Sequence, residues 1–343
     1  MINLTAKLKR ARQRLSHHYV RGGLILMYHR ITDARPDPWD CCVSPQHFAE
    51  QLAVLRRKFR PVPLAQLMQA VTDDQPSVFS RRPVAVTFDD GYADNLHTAK
   101  PLLERYEIPA TVFVTSGHIG RRREFWSDEL EALLLQPGPL PLQFQLSISG
   151  HRVEMTAAES ASDNLSFPQW RAAQGHDPTP RHRLYRELYP LLQPLEDSAR
   201  AQLLDEIRRQ TGTSQVVRET HRFLDADELR TLAAGDLIEI GGHAATHPMM
   251  SRLSGDRQLD EITEGKSFLE ELLHRRLTSF AYPYGDYGAD SPALVREAGF
   301  VRACATRRGV VRPDSDCFEL PRVQVKDWHG KEFAAWLTHW LYD

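Results

Sequence analysis

The stretch Pro83–Tyr92 reads PVAVTFDDGY and joins a continuous apolar run to two adjacent aspartates and a glycine. Continuous rather than alternating apolar residues are typical of a parallel strand that is covered on both faces. Two carboxylates at the end of such a strand are costly, because like charges repel and burial disfavours ionisation. A metal ion could hold one of them and leave the other free as a base, while Gly91 permits the sharp turn. The alternative is a strand that ends in an Asp-Gly turn with both carboxylates in solvent.

Six further apolar runs share this character, and most are rich in β-branched or aromatic residues. They are Leu24–Ile31, Ala110–Gly117, Asp236–His243, Ser279–Gly285, Val301–Val310 and Phe318–Val325. Helical patterns lie between many of them. Ser44 and Pro45 suit the N-cap and first position of a helix that extends to about Phe59. Strands that alternate with helices predict a parallel sheet or barrel, and seven strands would make a barrel one unit short of eight.

A second helix is predicted from Asp256 to about Arg276. Its expected buried stripe is Leu259, Ile262, Phe268, Leu269 and Leu272.

The segment between Trp126 and about His221 breaks the strand–helix rhythm, and we interpret residues 127–220 as an insertion. Within it, Leu142–Met155 predicts a β-hairpin that turns at Ser149-Gly150. The stretches RHRLYRELYPLL and DSARAQLLDEIRRQTG predict two helices. We expect the insertion to fold over one end of the main domain, although a separate domain is also compatible with the sequence.

Two histidines four residues apart, His243 and His247, follow the predicted strand LIEIGG. Imidazoles at this spacing can converge on one divalent ion, and zinc accepts such nitrogens together with a carboxylate. Spacing alone is weak evidence, because 15 histidines in 343 residues make a chance pair common. The context adds weight, since parallel sheets place their sites at the carboxyl ends of strands. The other predicted strands bring His29, Tyr282-Pro283-Tyr284 and Arg322 to the same shared pocket.

Composition limits the remaining possibilities. The chain of 343 residues can form one large α/β domain, and its net charge of −2 gives no sign of a nucleic-acid partner. No stretch approaches the ~18 apolar residues that a membrane span requires. Four cysteines, Cys41, Cys42, Cys304 and Cys317, lack metal-site spacing, so reduced thiols in the cytoplasm are expected.

Residues 1–22 predict a basic amphipathic helix. Lysines and arginines precede the first acidic residue, Asp33, and apolar residues recur at helical spacing. The segment lacks the apolar run and cleavage site of a secretory signal, which again favours the cytoplasm. Such a helix could lie on the anionic inner face of a membrane or pack on the domain.

Taken together, the motifs resemble those of the polysaccharide deacetylase family, also called carbohydrate esterase family four. TFDDGY at Thr87–Tyr92 resembles the family's first motif, and HAATH at His243–His247 resembles its second. FAYPYG at Phe280–Gly285 is similar to the third-motif variant of members that act on exopolysaccharides and surface glycans. LMYHRI at Leu26–Ile31 is similar to the opening strand of that subgroup.

The resemblance implies a distorted (β/α)7 barrel over residues 23–343, interrupted here by the insertion. It also implies a metal-dependent hydrolase that removes an N-acyl group, acetyl first, from an amino sugar of a glycan or glycan precursor. Asp89 would be the general base, while Asp90, His243 and His247 would hold the metal. Zinc is the default, with cobalt and nickel as alternatives. Arg322 falls where relatives use an arginine to orient or tune the catalytic aspartate.

Substrate contacts are expected from the aromatic residues near the strand ends. Tyr282 and Pro283 fall where the third motif of the family forms a wall of the groove, and Tyr284 follows them. The main-chain N–H of Tyr284 could also steady the oxyanion of the reaction. Trp126 could stack on a sugar ring or belong to the core.

The general acid is harder to assign. Many relatives carry a Leu-x-x-His element whose histidine donates the proton, and this chain lacks a clean match. We therefore expect His29 or His329 to supply the acid. His118 and His221 are predicted to be ordinary surface or loop residues.

Two other functions remain open on the sequence alone. One is a deformylase of a lipid-linked amino sugar, and the other is a catalytically weak barrel that only binds a glycan. Loss of the base or of a metal ligand would indicate the second, and the sequence keeps all four residues. A cytoplasmic location favours a lipid-linked, nucleotide-linked or oligosaccharide precursor over a mature extracellular polymer.

Deletion of residues 1–20 tests the predicted membrane contact. If the basic helix binds anionic lipid, the truncated protein should move from the membrane fraction to the soluble fraction of a cell lysate. An unchanged distribution, measured by immunoblot of both fractions, would remove the argument.

Overall fold

The computed structural model describes residues 22–73, 81–136, 140–141, 143–148, 150–156, 167, 169–214 and 217–342. The predicted N-terminal helix lies outside these ranges, apart from residue 22. The strands, in chain order, are β1 (Leu24–Tyr28), β2 (Arg30–Ile31), β3 (Cys42–Val43), β4 (Arg60–Pro61), β5 (Pro83–Phe88), β6 (Ala110–Val114), β7 (Gln143–Ile148), β8 (His151–Thr156), β9 (Ile238–Gly242), β10 (Ser279–Ala281), β11 (Arg302–Cys304) and β12 (Val323–Gln324).

Helices flank these strands along the chain. They are α1 (Pro45–Lys58), α2 (Leu64–Asp73), α3 (Lys100–Tyr106), α4 (Trp126–Leu135), α5 (Pro180–Leu192), α6 (Asp197–Thr211), α7 (Ala226–Leu232), α8 (Gly255–Leu273), α9 (Ser291–Glu297) and α10 (Gly330–Tyr342). A π-helical turn, Asn95–Ala99, runs directly into α3. None of the helices within the described residues is both long and apolar enough to cross a lipid bilayer.

Seven strands form one parallel sheet in the order β11-β10-β9-β6-β5-β1-β12, and the short β4 pairs with β5. The two ends of the sheet are brought together by an irregular segment. Leu320, just before β12, forms a parallel bridge with Cys304 of β11. The predicted distorted (β/α)7 barrel is confirmed, and its distortion lies at this closure.

Each predicted apolar run contains one strand of the barrel, but in two of the runs the strand is much shorter than the run. Val301–Val310 contributes only β11, and Phe318–Val325 contributes only β12. The irregular segments after β11 and before β12 are still joined to the sheet by main-chain hydrogen bonds. The N–H of Ala303 donates to the Cys317 carbonyl, and the N–H of Ala305 donates to the Leu320 carbonyl.

The first predicted helix is confirmed, because the Ser44 side chain accepts from the His47 N–H at the start of α1. The predicted stripe of α8 is partly wrong, because Phe268 is 45% exposed. The buried face instead includes Gly265, where an added Cβ would lie 2.9 Å from the Ala244 carbonyl. The helix therefore presents a small residue to the loop after β9, and Phe268 falls outside that face.

Residues 127–220 contain the antiparallel hairpin β7–β8 and the helices α5 and α6, as the hairpin and helix patterns predict. Their apolar side chains form a cluster separate from the barrel core. Its buried members from this region include Leu130, Leu134, Phe144, Leu184, Leu188 and Leu204. The same cluster contains Tyr92 from the loop after β5 and is contacted by Tyr284 from the loop after β10. The insertion is therefore packed on the carboxyl-terminal end of the barrel strands.

Candidate active site

Four barrel strands end at the same edge of the sheet and bring residues with polar groups to one place. Asp89 and Asp90 follow β5, His243 follows β9, Tyr282–Tyr284 follow β10 and His29 follows β1. The register is fixed by main-chain bonds, such as Asp89 N–H to Tyr28 O and His243 N–H to Val114 O. Sequence-distant residues therefore converge because parallel strands end at one edge of a sheet.

Asp90, His243 and His247 form a compact cluster whose candidate ligand atoms all lie within 4.8 Å of one another. Oδ1 of Asp90 is 3.5 Å from Nε2 of His243 and 3.3 Å from Nε2 of His247. Ligand atoms on a tetrahedral zinc, each about 2.0–2.2 Å from the ion, are about 3.3–3.6 Å apart. The donor set and its spacing therefore fit a divalent metal.

The protonation of these groups also suits metal binding. Nδ1 of His243 is 2.7 Å from the Ala281 carbonyl, which can only accept, so Nδ1 carries the proton and Nε2 presents a lone pair. Burial is the main cause that lowers the pKa of His247 to about 4, so its imidazole is neutral at pH 7. Burial would raise the pKa of Asp90, but the neighbouring His243 and His247 outweigh it and hold the pKa well below its usual range.

The backbone of the cluster is strained. Asp90, Ala244, His247 and Tyr284 have φ values of 76°, 60°, 60° and 58°, in the left-handed region that non-glycine residues seldom adopt. Each such residue costs about 1–3 kcal/mol and persists only where its surroundings hold it. The buried carboxylate of Glu261, on α8, supplies part of that support. It accepts hydrogen bonds from the N–H groups of Ala245 and Thr246 at 3.0 and 2.8 Å.

Asp89 has a different partner from Asp90. The fully buried Arg322 donates two hydrogen bonds to it, Nη1 to Oδ1 and Nη2 to Oδ2, both at 2.7 Å. Burial would raise the pKa of Asp89, but the Arg322 charge and neighbouring groups lower it below its usual value. Arg322 is itself fixed, because its Nε donates to the Ala305 carbonyl. Asp89 is therefore an ionised carboxylate with a fixed orientation, next to the cluster of Asp90, His243 and His247.

These residues line a cavity with a volume of about 650 Å³. Asp89, Asp90, His243 and His247 lie on its wall, together with His29 and Tyr284. The Tyr284 ring packs edge-on against the His247 ring, with centroids 4.4 Å apart. Nδ1 of His29 is buried and has no hydrogen-bond partner among the described residues.

Other predicted contacts lie behind the cavity wall. Tyr282 is fully buried and donates its O–H to the Phe318 carbonyl, and Pro283 is also buried. Trp126 is 5% exposed and donates its Nε1–H to the Tyr284 hydroxyl at 2.7 Å. Trp126 therefore lies in the core, which was one of its two expected positions. Of the four predicted substrate contacts, Tyr284 lines the cavity. The positive φ of Tyr284 turns its ring away from the direction taken by Tyr282.

Three histidines lie elsewhere than predicted. His329 is exposed at the start of α10 and outside the cavity lining, so of the two candidate acids only His29 faces the cavity. His118 and His221 were expected in loops or at the surface, but both are buried, and His221 lines the cavity. His118 stacks on Phe223, which explains its burial.

The insertion and the loop after β2 contribute cavity residues that the motifs do not indicate. The Trp39 ring packs at a tilt of 42° against Tyr189 of α5, with centroids 4.2 Å apart, and its Nε1–H donates to the Tyr185 hydroxyl at 2.9 Å. Asp128, at the start of α4, accepts a hydrogen bond from Tyr92 at 2.8 Å and has Arg30 within 4.0 Å. Asp128 lies in the sequence FWSDE, which belongs to none of the motifs, so the sequence carries no signal for it.

Comparison with known proteins identifies the class. The family model for polysaccharide deacetylase matches residues 77–137 and 179–303, which together make up more than half of the chain. The chain therefore belongs to the polysaccharide deacetylase family.

Individual relatives agree with this assignment. The Bacillus subtilis protein YxkH, whose name places it among the polysaccharide deacetylases, is 26% identical over 315 residues, covering 91% of this chain and 75% of its own. IcaB from Ammonifex degensii matches with a TM-score of 0.57 and 19% identity, over 94% of this chain and 98% of its own. The Streptococcus pyogenes deacetylase PplD, in complex with acetate, matches with a TM-score of 0.56 and 16% identity, over 94% of this chain and 99% of its own. At these identities the two structures show a shared fold.

The half-buried Asp128 should make stability depend on pH. Burial raises its pKa from 3.8 to about 6, against the lowering effects of Arg30 and Tyr92. A pKa raised by folding means that the contribution of Asp128 is greatest below about pH 4 and is lost as the pH rises through about 6. We expect the unfolding free energy of the wild type, minus that of Asp128→Asn, to fall by up to roughly 3 kcal/mol between pH 4 and 7. Urea unfolding of both proteins across this range measures the difference, and a value independent of pH would contradict the assignment.

Proposed function

We propose that this chain hydrolyses the N-acyl group of an amino sugar, with acetyl as the first acyl group to test, and that a divalent metal is required. The observation that carries the proposal is the unequal environment of two adjacent carboxylates. Asp90 faces two imidazoles, whereas Asp89 is held by Arg322 on the wall of the same cavity. One aspartate is thus suited to bind a metal and the other to move a proton.

Asp90, His243 and His247 would hold the metal through one carboxylate oxygen and two Nε2 nitrogens. Zinc accepts this donor set readily, and cobalt and nickel are the alternatives. A bound divalent metal supplies Lewis acidity, which polarises an amide carbonyl and lowers the pKa of a coordinated water.

Asp89 would act as the general base and take a proton from the attacking water as the water oxygen adds to the amide carbon. Its position beside the cluster suits this role, because a base must lie within hydrogen-bond reach of the proton that it removes. Arg322 keeps Asp89 ionised and fixes the plane of its carboxylate through two hydrogen bonds. Arg322 therefore orients the base and does not itself transfer a proton.

Two further groups complete the proposal. The main-chain N–H of Tyr284 would donate to the oxyanion of the tetrahedral intermediate. His29 would donate a proton to the departing amine as the C–N bond breaks, because it lines the cavity and its Nδ1 is without a partner among the described residues.

The substrate class follows from the family and from the cavity wall. The PplD structure contains acetate, the acid released by deacetylation, and this supports acetyl as the acyl group. Trp39 offers an aromatic surface on the cavity that suits the apolar face of a sugar ring. We propose a lipid-linked, nucleotide-linked or oligosaccharide precursor as substrate, used in the cytoplasm, with residues 1–22 in contact with the inner membrane face.

The variant Asp89→Asn tests the role of the base. Removal of the proton acceptor should lower the rate of acetate release by about 10²–10⁴, the usual contribution of a positioned base. Zinc affinity, measured by competition with a chromophoric chelator, should change little, because Asp90 and both histidines remain. Near-normal turnover by Asp89→Asn would show that Asp89 is not the base.

The matched control is Glu239→Gln on β9. Its carboxylate accepts hydrogen bonds from Ser279 and Thr278 outside the cavity lining, so turnover should remain close to that of the wild type. The assay should offer N-acetylated and N-formylated amino sugars in lipid-linked and nucleotide-linked forms. Preferential release of formate would identify a deformylase, and sugar binding without release of either acid would identify a glycan-binding barrel.

A further inference from the structure

Arg200, on α6 of the insertion, is a buried charge with a weak ion pair. Its side chain is almost completely buried, although arginine is seldom fully buried unless it is paired. The carboxylate that contacts it, Asp197 Oδ1, is 3.9 Å from Nη2 and lies on a partly exposed side chain. An ion pair of this length does little to offset the desolvation of a guanidinium. The other contacts of the Arg200 guanidinium, with Tyr284 and Trp126, indicate its role.

The hydrogen-bond partner of Arg200 is the Tyr284 hydroxyl, which accepts from Nη1 at 3.3 Å. The guanidinium also lies over the Trp126 ring, 5.6 Å from its centroid. Trp126 in turn donates its Nε1–H to the same Tyr284 oxygen at 2.7 Å. Two donors from two helices, α4 and α6, thus fix one hydroxyl group on the loop after β10.

Tyr284 needs such support, because its φ of 58° is unfavourable for a residue with a bulky side chain. Its ring packs against the candidate metal ligand His247. Two other rings are in edge contact with His247, namely Phe125 with centroids 5.0 Å apart and the fellow candidate ligand His243 with centroids 4.8 Å apart.

The two candidate histidine ligands are oriented in different ways. Metal-binding histidines usually donate their second ring N–H to a fixed acceptor, and His243 does so to Ala281. Nδ1 of His247 is buried and has no hydrogen-bond partner among the described residues. Apart from its contacts with the other candidate ligands, Asp90 and His243, the His247 ring is therefore oriented by the packing of Tyr284 and Phe125.

We infer that Arg200 is a positioning residue for the metal centre: through the Tyr284 hydroxyl it holds the tyrosine ring against His247. The insertion then completes the metal site as well as covering the cavity. This inference rests on the proposed function, since it concerns the same metal ligands.

A double-mutant cycle between Arg200→Gln and Tyr284→Phe tests the inference. Each single variant should weaken zinc binding about tenfold, the lower range for loss of a group that orients a ligand. The double variant should be no weaker than the worse single variant, because both changes break the same contact. With acetylated substrate the loss should appear in kcat rather than KM, and Arg200→Lys, which keeps a charged donor, should recover part of the zinc affinity.

Arg181→Gln is the control for the general cost of removing a buried arginine from the insertion. Arg181 donates to the main-chain carbonyls of Leu134 and Gln136 and lies outside the cavity lining. It should lower the melting temperature and leave zinc affinity unchanged. If Arg200→Gln fails to fold, Tyr284→Phe and Trp126→Phe test the same hydroxyl without removing a charge, and both should weaken zinc binding.

Zinc affinity unchanged in these variants, or effects of Arg200→Gln and Tyr284→Phe that simply add, would overturn the inference. Zinc binding by the wild type distinguishes failure of this inference from failure of the proposed function. A wild type that binds no zinc rejects the metal-dependent mechanism, whereas a wild type that binds zinc with an affinity independent of Arg200 and Tyr284 rejects the positioning role alone.

Discussion

Two buried carboxylates, Asp89 and Asp90, are adjacent in the chain, and each requires its own polar partner or a bound cation. A buried carboxylate without a partner would take up a proton or cost several kcal/mol in desolvation. The fold meets this requirement on two sides, with Arg322 next to β12 for Asp89 and two imidazoles from the loop after β9 for Asp90. Because these partners come from strands far apart in sequence, the barrel must close before either carboxylate can be buried and ionised. Closure of the barrel and assembly of the site are therefore coupled.

The insertion extends the site beyond the barrel. Its helices carry Asp128 and Tyr189 to the cavity and place Trp126 beneath Tyr284. Trp39, from the barrel loop after β2, is fixed by two tyrosines of α5, so that wall of the cavity is shared between the barrel and the insertion. The candidate metal ligands thus come from the barrel, whereas the cavity wall around them is built by the barrel and the insertion together.

The strands and the cluster of candidate metal ligands could be predicted from sequence because both depend on local patterns. Continuous apolar runs indicate the seven strands. The motifs TFDDGY and HAATH contain the three residues of the cluster, Asp90, His243 and His247. The orientation of single aromatic residues could not be predicted in this way. Tyr282 and Tyr284 are two positions apart, yet one is in the core and the other lines the cavity, and the positive φ of Tyr284 has no signal in the sequence. Phe268 was misassigned for a similar reason, since the close approach of Gly265 to Ala244 decides which face of α8 is buried. Arg200 gives no signal in sequence, because its contacts with Trp126 and Tyr284 exist only after the insertion has packed on the barrel.

X-ray absorption at the zinc edge, on protein loaded with one equivalent of zinc, tests most directly whether Asp90, His243 and His247 surround one cation. The account predicts a shell of nitrogen and oxygen only, with scattering from two imidazoles at about 2.0–2.1 Å. The imidazole contribution should fall by half in His247→Ala. A sulfur shell at about 2.3 Å, or zinc that is lost on dialysis and leaves no ordered shell, would contradict it.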